Sequence, residues 1–268
     1  MEKLRIFCVT NKEIKYLEKL NLSLVGVGKK KFKKNYITCI NGKNIQKKEK
    51  HYSELTFHYW FWKNQLQMFD ENSWIGFCQK RRFWLKEGNL HIKNIEDLNN
   101  NLLRSIPKEW EAYDALVCEP IKVSPLKKIK ILKRGWRNLI QDPSIIFDEK
   151  KQNLKFQFDI FHGYGCLDLA VNKIKDQNKR ESFRNYISIN NKFHPHIMVI
   201  SKKKILHEWF SDLFEWLFDC EEVFGFENLV GYDKLRLYAF LAERYLSFWF
   251  SNYHNVKSCP WVFFDTTK

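Results

Sequence analysis

The chain has 268 residues, enough for one large domain or two small ones, and it is 44% apolar and 16% aromatic with only ten Gly and six Pro, which excludes disordered, low-complexity and collagen-like classes. Its 46 Lys and Arg against 31 Asp and Glu leave a formal charge of +15, pointing to a polyanionic partner: nucleic acid, an acidic membrane surface or a phosphorylated substrate. Lys, Asn, Ile and Phe are abundant together, as AT-biased coding produces, so part of the Lys excess reads as solvated surface.

In chain order, LRIFCVT (4–10) reads as a buried strand, SELTFHYWFWKN (53–64) as an aromatic helix covered on most sides, WIGFC (74–78) as a second strand and DALVCEP (114–120) as a third. HIMVISK (196–202) reads as a further strand, and two helices over 205–219 and 234–250 close most of the chain. The first of these carries Glu208, Asp212, Glu215 and Asp219 opposite Leu206, Trp209, Leu213, Trp216 and Leu217, the pattern of a docked amphipathic helix. In the second, Glu243 and Arg244 interrupt an otherwise apolar circumference. The order is α/β, with no internal repeat and one compact unit expected.

Charge is unevenly placed. Residues 29–50 hold nine Lys against one Glu, 127–137 hold six Lys or Arg and no acid, and 205–227 hold seven acids and no Lys or Arg. Such a dipole suits steering a small anion at least as well as gripping a duplex. A nucleic-acid module would use the 29–50 cluster with Tyr36 and His51, yet interleaved stacking aromatics and a reading motif are missing, so no nucleic-acid partner is expected. The seven cysteines form no C-x-x-C pair and several fall in apolar runs, which suits a reducing compartment. No signal peptide is expected ahead of the first strand, and no window holds the roughly 18 uninterrupted apolar residues of a spanning helix. A cytoplasmic protein is expected, with peripheral contact at the inner membrane face compatible although the sequence displays no dedicated amphipathic anchor.

Gly76 and Cys78 alternate on one side of the second strand, small enough to admit a ligand or backbone, and the strand runs into Lys80, Arg81 and Arg82. Ligands of open α/β sheets bind outside the carboxyl ends of strands, where these cations would meet a phosphate or pyrophosphate. The alternative is a solvated basic turn. Further along, FDIFHGYGCLDLA (158–170) offers His162 before a Gly-Tyr-Gly turn and Asp168 after it as candidates for a general base, with Asp168 equally suited to capping a helix that starts near Leu169. Gly163 and Gly165 lack the remainder of a phosphate loop. Glu109 and Glu111 form an E-x-E in a helical turn, and His194 and His196 flank Pro195; both pairs read as structural, and no D-x-D stands in the chain.

The succession CVTNK, YSELTFHYWFWKN, WIGFCQKRRFW and FLAERYLSFWF resembles a bacterial family known as domain of unknown function 4422, found in capsular and exopolysaccharide clusters and regarded as glycosyltransferase-like. Glu54–Asn64 and Gly76–Trp84 follow its Glu-Leu-Thr, aromatic pair, Trp-Lys-Asn and Gly-Leu-Cys-His-Tyr-Arg-Arg-Tyr-Phe pattern. Gln79 and Lys80 replace the His and Tyr of that pattern, and Ile197–Ile200 replaces Asn-Met-Phe-Ile. The resemblance implies a GT-A-like, Rossmann-like central, mostly parallel sheet flanked by helices, with C-terminal helices packed on it. It implies a single domain over 1–268, the nucleotide-binding half over about 1–125 and the acceptor-side helical half over about 126–268.

By the same resemblance, the protein would transfer a sugar from a nucleotide-sugar donor to an oligosaccharide or lipid-linked glycan of a capsule, exopolysaccharide or O-antigen. Thr10, Asn11 and Lys12 match the family's Thr-His-Lys at the nucleotide, and Lys80, Arg81, Arg82 and Arg244 would meet the donor phosphates. Glu54 and Gly76 would support the pocket, while Asp168, His162 and Glu243 are the catalytic candidates, Glu243 and Arg244 matching the family's Ala-Glu-Arg-Leu. Without a D-x-D, stabilisation of the departing diphosphate by fixed cations is expected, no metal ligand is assigned and no cofactor is required, although Mn²⁺ or Mg²⁺ remains compatible. The competing function is a non-catalytic partner in an envelope-polysaccharide complex, which Gln79 and Lys80 would favour if they abolish turnover.

Overall fold

The computed structural model describes residues 4–88 and 90–265. Packing divides the chain into two compact units: Met1–Glu119, His196–Asp212 and Phe250–Lys268 form the first, Pro120–Pro195 and Leu213–Trp249 the second.

The first unit is built on a mixed sheet. Its strands are β1 (Leu4–Thr10), β2 (Ser23–Gly26), β3 (Ile37–Thr38), β4 (Trp74–Gln79), β5 (Arg82–Trp84) and β6 (Ala115–Cys118). A second two-stranded sheet pairs β7 (Ile121–Lys122) with β8 (Lys192–Phe193) in the other unit, and β9 (Val199–Lys202), β10 (Val256–Cys259) and β11 (Trp261–Phe263) complete the first. Among the described residues the main order is β10-β6-β9-β4-β1-β2-β3, with β5 and β11 branching from β4. Neighbours β10–β6, β4–β1, β1–β2 and β2–β3 are parallel, whereas β9 runs antiparallel between β6 and β4.

Parallel strands covered on both faces read as continuous apolar runs, and β1, β4 and β6 do so because they are buried along most of their length. One face is covered by the Leu55–Asn64 helix, whose Leu55, Phe57, Trp60 and Phe61 are buried. Phe57 and Phe61 lie 5.4 and 5.0 Å from the Phe7 ring of β1, and 6.0 and 5.5 Å from Phe77 of β4. The other face buries Ile6, Cys8, Cys78, Leu116, Cys118, Ile200 and Cys259 in one cluster, the thiols packing as small apolar groups with no disulfide among them.

Gly76 belongs to this packing. It faces Ile6 of β1 and Ile200 of β9, and a Cβ on it would lie 3.2 Å from Ile6 Cγ1 and 2.8 Å from Ile200 Cγ1. The close approach that its small size permits is made by strand neighbours, so Gly76 supports the sheet rather than opening space for a ligand. The strand expected over 196–202 begins only at Val199, because His196 and Ile197 adopt left-handed backbone with φ of 76° and 54°.

The second unit is mainly helical. Helix starts are set by short polar side chains: Asn153 Oδ1 accepts from Phe156 N at 2.9 Å to begin Leu154–His162, and Asp176 accepts from Lys179 N at 2.8 Å to begin Gln177–Ile189. Phe183 centres the core, 5.9 Å from Trp216, 5.3 Å from Tyr245 and 4.9 Å from Phe248. Trp216 Nε1 donates to Ala170 O at 2.7 Å, which satisfies its buried N–H. The first late helix runs longer than its apolar periodicity suggested, over Lys203–Phe224, and the second keeps the expected length but is shifted three residues on, over Leu237–Tyr253.

Candidate active site at the carboxyl edge of the sheet

Because β1, β2 and β4 are parallel, their carboxyl ends open on one edge of the first unit. From β1 the chain continues as Thr10-Asn11-Lys12, from β4 as Lys80-Arg81-Arg82, and from β2 into Gly28 and the exposed Lys29, Lys30 and Lys31. The backbone bond from Lys80 N to Val9 O, 3.1 Å, carries the β1–β4 pairing to this edge. Two segments far apart in sequence are thereby joined.

Each cation of the turn is held by a polar partner. Lys80 Nζ donates to Asn11 Oδ1 at 2.5 Å. Arg81 Nη1 lies 2.9 Å from Asp265 Oδ2, whose side chain is 5% exposed while that of Arg81 is 41% exposed; Arg81 Nε has no hydrogen-bond partner among the described residues. A buried carboxylate thus orients a partly exposed guanidinium. Arg82 Nη1 donates to Gln79 Oε1 at 3.1 Å and Arg82 Nε to His196 Nε2 at 3.2 Å.

The turn itself is clamped. Tyr16 donates its hydroxyl to Lys80 O at 2.5 Å, and Phe264 N donates to Arg81 O at 2.9 Å. Burial pushes the Tyr16 phenol well above its ordinary range, so it stays a donor. Gln79 Nε2 bridges Glu54 Oε1 and, at 2.7 Å, His196 O. Thr10 Oγ1 donates to Lys12 O at 2.5 Å and accepts from Lys12 N at 3.2 Å, closing the loop after β1 on itself.

His196 sets the far wall, its ring edge-on to Trp261 at 4.5 Å. Burial, with the Arg82 charge second, lowers its pKa to about 3, which agrees with a neutral ring accepting from Arg82 at Nε2. A β-branched residue with φ above zero is a strained conformation, and Ile197 holds it next to this histidine. Such strain persists where surrounding contacts over-determine the backbone, and here the His196 carbonyl is fixed on Gln79.

The expected acid–base residues stand in the second unit. His162 is 6% exposed, stacked on Phe240 at 3.9 Å, and donates Nδ1–H to Asp233 O at 2.8 Å; burial lowers its pKa to about 4. Asp168 lies in the first turn of the Cys166–Val171 helix and pairs with Lys155 at 2.8 Å, on the surface. Glu243 Oε2 lies 3.4 Å from Arg244 Nη1. Arg244 is 1% exposed, with Nη2 bonded to Gln157 Oε1 at 2.7 Å and Cζ 3.7 Å from the Phe193 ring. Its guanidinium is enclosed by the protein's own groups, which places it in the packing of this unit rather than against a donor phosphate.

Asp159 is a carboxylate that sequence spacing did not mark. It accepts from Asn138 Nδ2 at 2.8 Å and Gly165 N at 2.9 Å, burial raises its pKa, and it lines a cavity of about 460 Å³ with Trp136, Arg137 and Tyr164. At the carboxyl edge of the sheet, Asp265, Tyr16 and His196 were likewise missed as partners of the basic turn. No local pattern could have linked Asp265 to Arg81, 184 positions away. Glu109 is exposed within a short 3₁₀ turn, Lys108–Trp110, and no group of three or more His, Cys, Asp or Glu able to hold a metal occurs among the described residues.

The fold has a counterpart among solved structures: one titled "WbbM bifunctional glycosytransferase apo structure" superposes with a TM-score of 0.72 over 99% of this chain at 16% identity. The chain spans about half the length of that protein, 46%. The likeness assigns the α/β architecture as GT-A-like, a mostly parallel sheet flanked by helices. No curated protein matches the sequence significantly. The model of the family described as "Domain of unknown function (DUF4422)" matches residues 5–255, and the chain belongs to that family.

Proposed function

We propose that the protein is a glycosyltransferase that binds the diphosphate of a nucleotide-sugar donor at the carboxyl edge of β1 and β4 and transfers the sugar to a growing surface-polysaccharide acceptor. The observation that carries this reading is the clamped turn in which Lys80, Arg81 and Arg82 are each oriented by a separate polar partner, Asn11, buried Asp265 and the Gln79–His196 pair. Fixed cations need no reorganisation when the leaving diphosphate gains negative charge, which is the condition for electrostatic stabilisation of the transition state.

Arg81 supplies a partly exposed guanidinium in this scheme. Lys80 draws the loop after β1 toward the phosphates through Asn11, and Arg82 fixes the wall made by His196. Glu54 acts one step removed, by holding Gln79. Stabilisation by these cations replaces a carboxylate-held metal in this reading.

The test is a thermal-shift panel of nucleoside diphosphates and nucleotide sugars at low salt, with EDTA or with Mn²⁺, on the wild type and on Arg81→Ala/Arg82→Ala. Ligands that bind only the folded state raise the melting temperature by mass action. The expected outcome is a shift selective for one nucleotide, retained in EDTA and lost in the double variant through a Kd weakened at least about tenfold, equivalent to about 1.4 kcal/mol. A shift that appears only with Mn²⁺ removes the metal-free scheme. Absence of any shift removes the donor site.

A further inference from the structure

We propose that the Lys127–Phe147 face of the second unit rests on an anionic phospholipid bilayer. This segment is anchored from beneath by a small apolar cluster in which Ile131 and Ile145 are buried against Phe156 and Ile160, with Leu139 packed alongside. Asn138 is fixed to Asp159 at 2.8 Å. The core therefore has its full complement from residues 131, 138, 139 and 145.

The apolar residues between them point elsewhere. Ile129, Leu132, Trp136 and Ile140 are 69%, 57%, 52% and 73% exposed; Ile129 and Leu132 stand three apart on the Lys128–Arg134 helix, and Trp136 and Ile140 four apart on the Trp136–Gln141 helix that follows Gly135, each pair on one side of its helix. Phe147 adds to them at 81% exposure. Val230 and Tyr232, 70% and 80% exposed, line the same cavity as Trp136. A single exposed Leu needs no explanation, but a contiguous group of this kind marks an interaction surface.

The chemistry beside this group selects the partner. Lys127, Lys128, Lys133 and Arg137 are exposed, Arg134 pairs with Asp233 at 2.6 Å, and Lys130 lies 3.4 Å over the Phe161 ring; the stretch 127–137 has no acidic residue. Long cationic side chains flanking bulky apolar residues and a Trp match a bilayer interface, where the apolar groups enter the acyl boundary and the cations meet anionic headgroups. A second copy would bring like charges together. A nucleic-acid strand offers phosphates but no apolar counterpart for Ile129, Leu132 and Ile140. No helix among the described residues is long and apolar enough to cross a membrane, so this is a surface contact.

The test is co-sedimentation of the whole chain with vesicles of phosphatidylcholine alone or doped with phosphatidylglycerol, at low salt and without nucleotide, so that its failure is separable from failure of the donor site. Binding is expected only to the anionic vesicles. Partitioning should fall about tenfold or more in Ile129→Gln/Leu132→Gln/Ile140→Gln and in Lys127→Gln/Lys128→Gln/Lys133→Gln. The Lys43→Gln/Lys47→Gln/Lys50→Gln variant removes as many charges from the first unit and should bind as the wild type does. All substituted side chains are on the surface, and unchanged melting temperatures verify folding. Three results overturn the proposal: no enrichment on anionic vesicles, equal loss in the control and patch lysine variants, or concentration-dependent self-association abolished by the Ile129/Leu132/Ile140 change without vesicle binding.

Discussion

His58 lies 4.5 Å from the Phe77 ring and 5.8 Å from Phe210, is 1% exposed, and its Nδ1 has no hydrogen-bond partner among the described residues. Burial lowers its pKa to about 3, as it lowers His196 to about 3 and His162 to about 4. Because these folded pKa values lie below the unfolded value of 6.5, the unfolded chain binds protons that the folded chain refuses. Stability is complete above about pH 6.5 and declines as pH falls toward 4, by about 1.4 kcal/mol per pH unit for each such group. Melting temperature against pH checks this, and His58→Phe should flatten the slope between pH 6.5 and 4. An unchanged slope would mean that His58 is charged without cost. At this scale the sequence displayed residue types well: the basic triplet and Glu54 were visible, whereas the companions that orient them, Asp265 and His196, were not.

At the scale of elements, the Leu237–Tyr253 helix carries Arg244 into apolar surroundings between Phe193, Phe158 and Gln157. Removing one member of a buried charged group leaves its partners uncompensated, so Arg244→Ala should cost about 3–5 kcal/mol. Arg244→Met keeps the stem volume and should cost less. Urea denaturation measures the two, and nucleotide affinity should be unchanged in Arg244→Met. A loss of nucleotide binding in a stably folded Arg244→Met protein would return this arginine to the donor site. The interruption of the helix's apolar face was legible from periodicity; its purpose was not, because burial of the guanidinium depends on residues 157 and 193, which no helical period connects to 244. The basic segment 127–137 was equally visible as charge. Its outward apolar residues were obscured by Gly135, which divides the segment into helices of seven and six residues, too short for a periodic window.

For the molecule as a whole, the charge of +15 distinguishes two kinds of anion binding by their response to salt. The Debye length shrinks from about 30 Å at 0.01 M to about 8 Å at 0.15 M. A nucleoside diphosphate held by Lys80, Arg81 and Arg82 in direct contact should lose only severalfold in affinity across that range. A polyanion neutralising many lysines would lose about 10³-fold or more. Titration calorimetry at the two ionic strengths separates these, and a steep loss for the diphosphate would contradict a preorganised contact site. The α/β class, the apolar strands β1, β4 and β6, the aromatic helix and the cations after β4 were legible from residue order alone, because burial periodicity and strand-end charge are local properties of the chain. The antiparallel course of β9 beside β4, the fit of Gly76 against Ile6 and Ile200, the enclosure of Arg244 and the orientation of Arg81 by Asp265 emerge only in the folded chain. Each of these depends on which distant segments become neighbours, and that is set by the packing of the folded chain rather than by any spacing along it.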